Sequence, residues 1–145
     1  MAVQRVLVPP KPMFNRPKGA QEETMAALPR ILIVDDEPEI RHFLSLTFEC
    51  AGYAVNTAGS GRDAIALCSV QTFDVVLSDV TMPGMNGHQL VQWVSAHYPT
   101  IRTALMSGFD AVRDKCSQST VCHYIAKPFR PKEIVSFVGQ VLATS

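Results

Sequence analysis

Five short runs of aliphatic and β-branched residues recur along the chain, and between them apolar residues return at helical spacing. The runs are Arg30–Val34, Tyr53–Thr57, Phe73–Asp79, Ile101–Met106 and Val121–Ala126. Continuous apolar runs such as Ile31–Val34 and Val75–Leu77 read as strands covered on both faces. Strands that alternate with helices imply a parallel sheet, because a parallel pair needs a crossover and the crossover is usually a helix. The crossovers are right-handed and lay helices on both faces. This pattern narrows the fold more than any single residue does.

The helical stretches carry their own boundaries. Pro38 suits a first helical turn, where its missing N–H costs nothing, and Asp36 is the expected cap before it. Ile40, Phe43, Leu44, Leu46, Thr47 and Phe48 follow at helical spacing to about Ala51, and Gly52 is the stop. Ser60-Gly61-Arg62-Asp63 resembles a capping box with Asp in place of Glu, leading Ala64, Ile65, Leu67, Cys68 and Val70. Gly87 opens a third helix with Leu90, Val91, Trp93 and Val94 inward, closed by Tyr98-Pro99. Asp110–Cys116 is a short, weakly amphipathic candidate helix followed by the polar Ser117-Gln118-Ser119-Thr120. The last helix has Pro131 in its first turn and Ile134, Val135, Phe137, Val138, Val141 and Leu142 on its buried side.

Residues 1–29 contain five prolines and scattered Lys and Arg with no helical or strand period. They read as a flexible Pro-rich tail, in which Val6–Val8 forms at most an edge strand and Met25 is a second candidate start. Residues 30–145 are then one domain. With 13 Lys+Arg against 13 Asp+Glu, overall charge argues for neither nucleic acid nor a membrane surface. The four cysteines, Cys50, Cys68, Cys116 and Cys122, lack metal-ligand spacing. They read as reduced, buried small hydrophobes in a cytoplasmic protein, with a Cys116–Cys122 redox pair as the alternative. No apolar run approaches the ~20 residues of a membrane span, and no secretory signal is expected.

The strand ends carry the chemistry. The first ends on Asp35-Asp36, the third on Asp79, the fourth runs on to Ser107 and the fifth to Lys127. In a parallel sheet these ends share one edge, where ligand sites of open α/β sheets lie. A strand-end Asp alone is more often a cap or turn residue than a catalyst; three carboxylates, a hydroxyl and an ammonium on one edge are harder to obtain by accident. Crowded carboxylates raise one another's pKa values unless a cation intervenes. Oxygen-only ligands suit a hard cation such as Mg²⁺. With Lys127 and Ser107 to hold further oxygens, Asp79 is placed as a nucleophile toward a phosphoryl group.

The motifs Ile31-Leu-Ile-Val-Asp35-Asp36-Glu37, Leu77-Ser-Asp79-Val-Thr-Met-Pro83-Gly-Met-Asn-Gly87, Met106-Ser107-Gly108 and Tyr124-Ile-Ala-Lys127-Pro128-Phe129 resemble the receiver domain of two-component response regulators over about residues 30–143. The resemblance implies a three-layer (βα)5 flavodoxin-like doubly wound parallel sheet with strand order 2-1-3-4-5. It implies that Asp79 accepts a phosphoryl group from a histidine kinase or histidine phosphotransfer protein. Asp36, Asp79 and the Thr81 backbone carbonyl would ligate Mg²⁺, with Asp35 acting largely through water. Lys127 would pair with the phosphoryl group, and Ser107 would bond it and move toward it. Tyr124 would be the aromatic switch that turns inward with Ser107. The Lys127–Pro128 bond is expected to be cis, a state that only X-Pro bonds adopt cheaply. Gly87 is expected to permit the turn into the third helix.

Such a protein is not an enzyme toward other molecules and catalyses only its own phosphoryl transfer and dephosphorylation. It signals by contact with a downstream protein target, with no direct DNA binding and no membrane contact; a homodimer is a further form the family allows. Phe109 and Thr81 fall where the family tunes dephosphorylation, and His42, His88, His97 and His123 are not read as phosphohistidines. The weak stretch Phe109–Val121 puts the output face in question. The alternatives are a receiver fragment of a hybrid kinase, or a Mg²⁺-dependent phosphatase of the haloacid-dehalogenase type. The phosphatase class wants Asp-x-Asp where this chain has adjacent Asp35-Asp36, and a cap domain for which there is no room. A flavin carrier of the same fold would want a hydroxyl- and Gly-rich loop where this chain places acid.

Overall fold

A computed structural model of the chain describes residues 28–108 and 123–144. The tail before residue 28, the expected helix Asp110–Cys116, the Ser117–Thr120 run, Phe109 and the Cys116–Cys122 pair lie outside the described residues. Five strands, β1 (Arg30–Val34), β2 (Ala54–Ala58), β3 (Val75–Asp79), β4 (Arg102–Ser107) and β5 (Tyr124–Ala126), form one parallel sheet in the order β2-β1-β3-β4-β5. The described helices are α1 (Pro38–Cys50), α2 (Gly61–Val70), α3 (Gly87–His97) and α4 (Pro131–Ala143). Strand order and parallel sense are those the resemblance implies.

The central strands show why the apolar runs are continuous. Ile31, Ile33, Val75 and Leu77 pack on one face with Leu44, Phe48, Ile134 and Val138 of α1 and α4. Leu32, Val34 and Val76 pack on the other with Ala64, Cys68, Leu90 and Val94 of α2 and α3. Successive strand residues point to opposite faces, so a strand with helices on both sides offers no solvent-facing position along these runs. Each fully buried Ile, Leu or Val contributes about 1.5–3 kcal/mol relative to exposure. These packed runs hold the sheet edge in place.

The helix ends follow the expected chemistry with one correction. Glu37, not Asp36, occupies the cap of α1, and its side chain makes no capping bond. The N–H of Glu37 instead donates to Oδ1 of Asp35 at 2.9 Å, so the strand-end carboxylate does the work of the turn. At α3 the cap is Asn86, whose Oδ1 accepts from the Gln89 N–H while the Gln89 Oε1 accepts from the Asn86 N–H, a reciprocal box. Ser60 caps α2 through the Asp63 N–H, and Gly52 takes a φ of 95° after α1. The expected fifth strand is shorter than its apolar run: Tyr124–Ala126 is extended, His123 lies outside the strand, and Val121 and Cys122 lie outside the described residues. Cys68 is buried as expected, whereas Cys50 is exposed.

Candidate phosphoryl and metal site

Parallel pairing continues past the strand ends and brings the expected residues together. The Asp35 N–H donates to Ala58 O at 3.1 Å, the Val80 N–H to Met106 O at 3.0 Å and the Lys127 N–H to Ser107 O at 2.7 Å. Asp79 pairs with Met106 across β3–β4, and Ser107 with Ala126 across β4–β5. Asp35, Asp79 and Ser107 are buried at this edge, Asp36 and Thr81 are exposed, and the Lys127–Pro128 bond is cis.

The charges meet closely. The ammonium of Lys127 donates to Asp79 Oδ1 at 3.1 Å and stands 3.6 Å from Asp35 Oδ2. The second distance is an ion pair but too long for a hydrogen bond, which leaves buried Asp35 Oδ2 with no hydrogen-bond partner among the described residues. One carboxylate oxygen each from Asp35, Asp36 and Asp79 can lie within 4.8 Å of the others. A buried carboxylate oxygen without a hydrogen bond, beside two more carboxylates, is a poor arrangement for three bare anions and a suitable one for a hard divalent cation. The donor set therefore fits Mg²⁺.

Burial pushes the Asp35 carboxyl above its ordinary value. The Glu37 N–H pulls it back, the Asp79 charge pushes it further, Lys127 pulls it down and Asp36 adds to the rise. A carboxyl raised by the fold contributes stability that is full below its ordinary value and lost as pH rises through the folded value. At neutral pH the metal-free fold therefore carries this carboxylate at a cost. Asp35→Asn is expected to raise the Tm of metal-free protein at pH 7 by roughly 3–5 °C, the shift that about 1 kcal/mol gives in a domain of this size. The gain should shrink as pH falls toward 3.8, where the unfolded carboxyl titrates. Calorimetry across that range in EDTA checks this; a lower Tm at pH 7 would contradict it.

Ser107 ends β4 at the same edge, and the structure places Tyr124 at the start of β5. The Tyr124 hydroxyl lies 3.4 Å from Nδ1 of His88, in the first turn of α3. Spacing along the sequence does not single out His88, because its tie to β5 exists only once the sheet is assembled. Gly87 differs from its expected role. It shows no left-handed backbone; instead, a Cβ there would fall onto the backbone oxygen of Asp79 and lie 2.9 Å from both Leu105 Cδ2 and Val80 Cα. The helix start approaches the end of β3 too closely for a side chain.

A family model described as the response regulator receiver domain matches residues 31–139. The chain is 34% identical over 114 residues to the transcriptional regulatory protein ResD of Bacillus subtilis, covering 78% of this chain and 48% of that protein. It is 31% identical over 114 residues to the response regulator protein FleR of Pseudomonas aeruginosa, covering 77% and 24%. The chain thus spans about a quarter to a half of the length of these curated relatives. Among solved structures, the chemotaxis response regulator CheY4 of Vibrio cholerae aligns with a TM-score of 0.73 at 31% identity, covering 79% of this chain and 98% of that one. The response regulator TrrA of Thermotoga maritima, solved in complex with Mg²⁺ and BeF, aligns at 0.73 and 28% identity, covering 79% and 99%. Among the described residues no helix is long and apolar enough to cross a membrane.

Proposed function

We infer, from the premise that this chain belongs to the response regulator receiver domain family, that it is a phosphorylation-dependent signalling switch whose acceptor is Asp79, working in the cytoplasm. The observation that carries the reading is the Lys127 ammonium 3.1 Å from Asp79 Oδ1, on an edge where Asp35 and Asp36 complete an acidic cluster. A carboxylate oxygen of Asp79 attacks the phosphorus of a phosphohistidine on a kinase or phosphotransfer protein. The O–P bond forms, the P–N bond breaks, and the imidazole leaves with the bonding pair and takes up a proton. Asp36, Asp79 and the Thr81 carbonyl would hold Mg²⁺, with Asp35 acting largely through water. When bound, the metal supplies charge neutralisation on the phosphoryl oxygens. Lys127 holds a phosphoryl oxygen, Ser107 bonds another, and Tyr124 follows Ser107 inward. The output passes by contact to a protein target, and the chain turns over no other substrate.

Acetyl phosphate with Mg²⁺ should add one hydroxylamine-labile phosphate per chain, and EDTA should prevent it. A wild-type chain that stays unmodified under those conditions would overturn the assignment.

Lys127→Ala separates the site's two tasks. The metal ligands are carboxylates and a carbonyl, so Mg²⁺ affinity should stay within about threefold of wild type. The tie between the phosphoryl group and β5 is lost, so phosphorylation should no longer shift the Tyr124 resonances. NMR of Mg²⁺-titrated and beryllofluoride-bound protein reads both quantities. A full wild-type shift at Tyr124 in the variant would show that the signal leaves by another route.

A further inference from the structure

The turn between β1 and α1 carries Asp35, Asp36 and Glu37, three acids in succession, and α1 begins without a side-chain cap. Asp35 is fixed by burial and by its Oδ1 bond to the Glu37 N–H. Asp36 is exposed, and among the described residues its side chain makes no hydrogen bond, so the path of the backbone decides where its carboxylate points. Among the described residues one side chain from outside the turn hydrogen-bonds that backbone. Arg41, one turn into α1, donates from Nη1 to the Asp35 carbonyl at 2.7 Å. Charge-assisted bonds of this length are roughly twice as strong as neutral ones. The same guanidinium lies against the turn after β2: a Cβ built on Gly59 would stand 3.2 Å from Nη1 and 3.6 Å from Cζ. The Asp35 N–H is bonded to Ala58, the residue before Gly59. Arg41 thus spans the turns that follow β1 and β2.

We propose that Arg41 is a positioning residue of the metal site, holding the Asp35 carbonyl against the β2–α2 turn so that the Asp35-Asp36 pair is preset for a divalent cation. The inference rests on the functional reading above. Arg41 acts through the peptide, not through the carboxylate: its Nη1 bonds the Asp35 carbonyl oxygen, whereas the cation beside the Asp35 carboxylate is Lys127. Mg²⁺ tolerates little departure from octahedral geometry. A turn that must be ordered on binding therefore loses affinity while leaving the filled site competent.

The test uses the full chain, with Mg²⁺ alone as the binding probe. Amide NMR titration gives the half-saturation concentration, and acetyl phosphate gives the phosphorylation rate at saturating Mg²⁺. Arg41→Met keeps the apolar stem and removes the donors. It should raise the Mg²⁺ half-saturation about tenfold and leave the saturated rate within about twofold of wild type. Arg41→Lys keeps one charged donor and should recover most of the affinity. Gly59→Ala presses on the guanidinium from the other side and should raise half-saturation about threefold with the arginine intact, which keeps the test decisive if Arg41→Met fails to fold. A lowered Tm with unchanged half-saturation, or a lowered saturated rate with unchanged half-saturation, would show Arg41 to be a packing residue only. A wild-type chain that binds no Mg²⁺ would overturn the functional reading and this inference with it, whereas wild-type binding with unaffected variants overturns this inference alone.

Discussion

Asp79→Asn should reduce the hydroxylamine-labile phosphate acquired from acetyl phosphate and Mg²⁺ to background, a loss of more than about 100-fold, because an amide oxygen does not supply the carboxylate's nucleophilic pair. The substitution is close to isosteric. The packing of Val75, Val76 and Leu77 and the pairing of Asp79 with Met106 should survive, so the folded variant reports on chemistry alone. Nearby hydroxyls are poor substitutes. Ser78 is fully buried, and its Oγ is engaged in donating to the Asp79 carbonyl at 2.9 Å. Ser107 reaches the edge, but a phosphoserine there would resist hydroxylamine, which an acyl phosphate does not. Intact-mass measurement before and after hydroxylamine separates the cases. Undiminished labile phosphate in the variant would move the acceptor to another carboxylate and end the role assigned to Asp79.

The strands were legible because the sheet is covered on both faces. Ile31–Val34 and Val75–Leu77 have no wet position, so their apolar runs are unbroken; the first ends with β1 and the second two residues before the end of β3. The site residues were legible for a related reason: Asp35 follows the last residue of β1, and Asp79 and Ser107 are the last residues of β3 and β4, so each polar group stands where a buried strand ends. Local choices within one turn read less well. Asp36 and Glu37 are adjacent acids, and which one caps α1 follows from the Asp35 Oδ1 bond to the Glu37 N–H, made by a carboxylate that the folded sheet edge buries. Arg41 reaches back six residues to a backbone carbonyl, with no periodic signal to mark it. The Tyr124–His88 approach joins residues 36 apart that meet only after β5 is laid beside β4. At Gly87 the sequence suggests backbone freedom, whereas what requires glycine there is the space taken by Asp79 and Val80.

Gly87→Ala is the sharpest test of that space. Helix propensity alone favours the substitution by about 1 kcal/mol, since Gly87 is the first residue of α3 and Ala is the better helix former. The structure predicts the opposite sign. Two of the three atoms nearest the new Cβ are backbone, the Asp79 oxygen and Val80 Cα, and neither can rotate away; the third is the Leu105 side chain. The Gly87 N–H is also bonded to Val80 O at 2.9 Å, so α3 cannot withdraw without giving up that bond. Overpacking against rigid neighbours costs typically 1–3 kcal/mol and sometimes more. With the cost at the upper end of that range and the helix gain set against it, we expect a net loss of about 2 kcal/mol and a Tm lower by roughly 6–10 °C. The strain falls on the end of β3, so the phosphorylation rate at saturating Mg²⁺ should drop about tenfold at a temperature where the variant remains folded. Gly139 supplies the control. It lies in α4, exposed, with nothing within 4 Å of an added Cβ among the described residues, so Gly139→Ala should stabilise by about 0.5–1 kcal/mol and leave the rate unchanged. Opposite signs for one substitution at two helical glycines isolate close approach from backbone freedom. A Gly87→Ala variant as stable and as fast as wild type would mean that α3 is not seated against the acceptor strand as the structure has it.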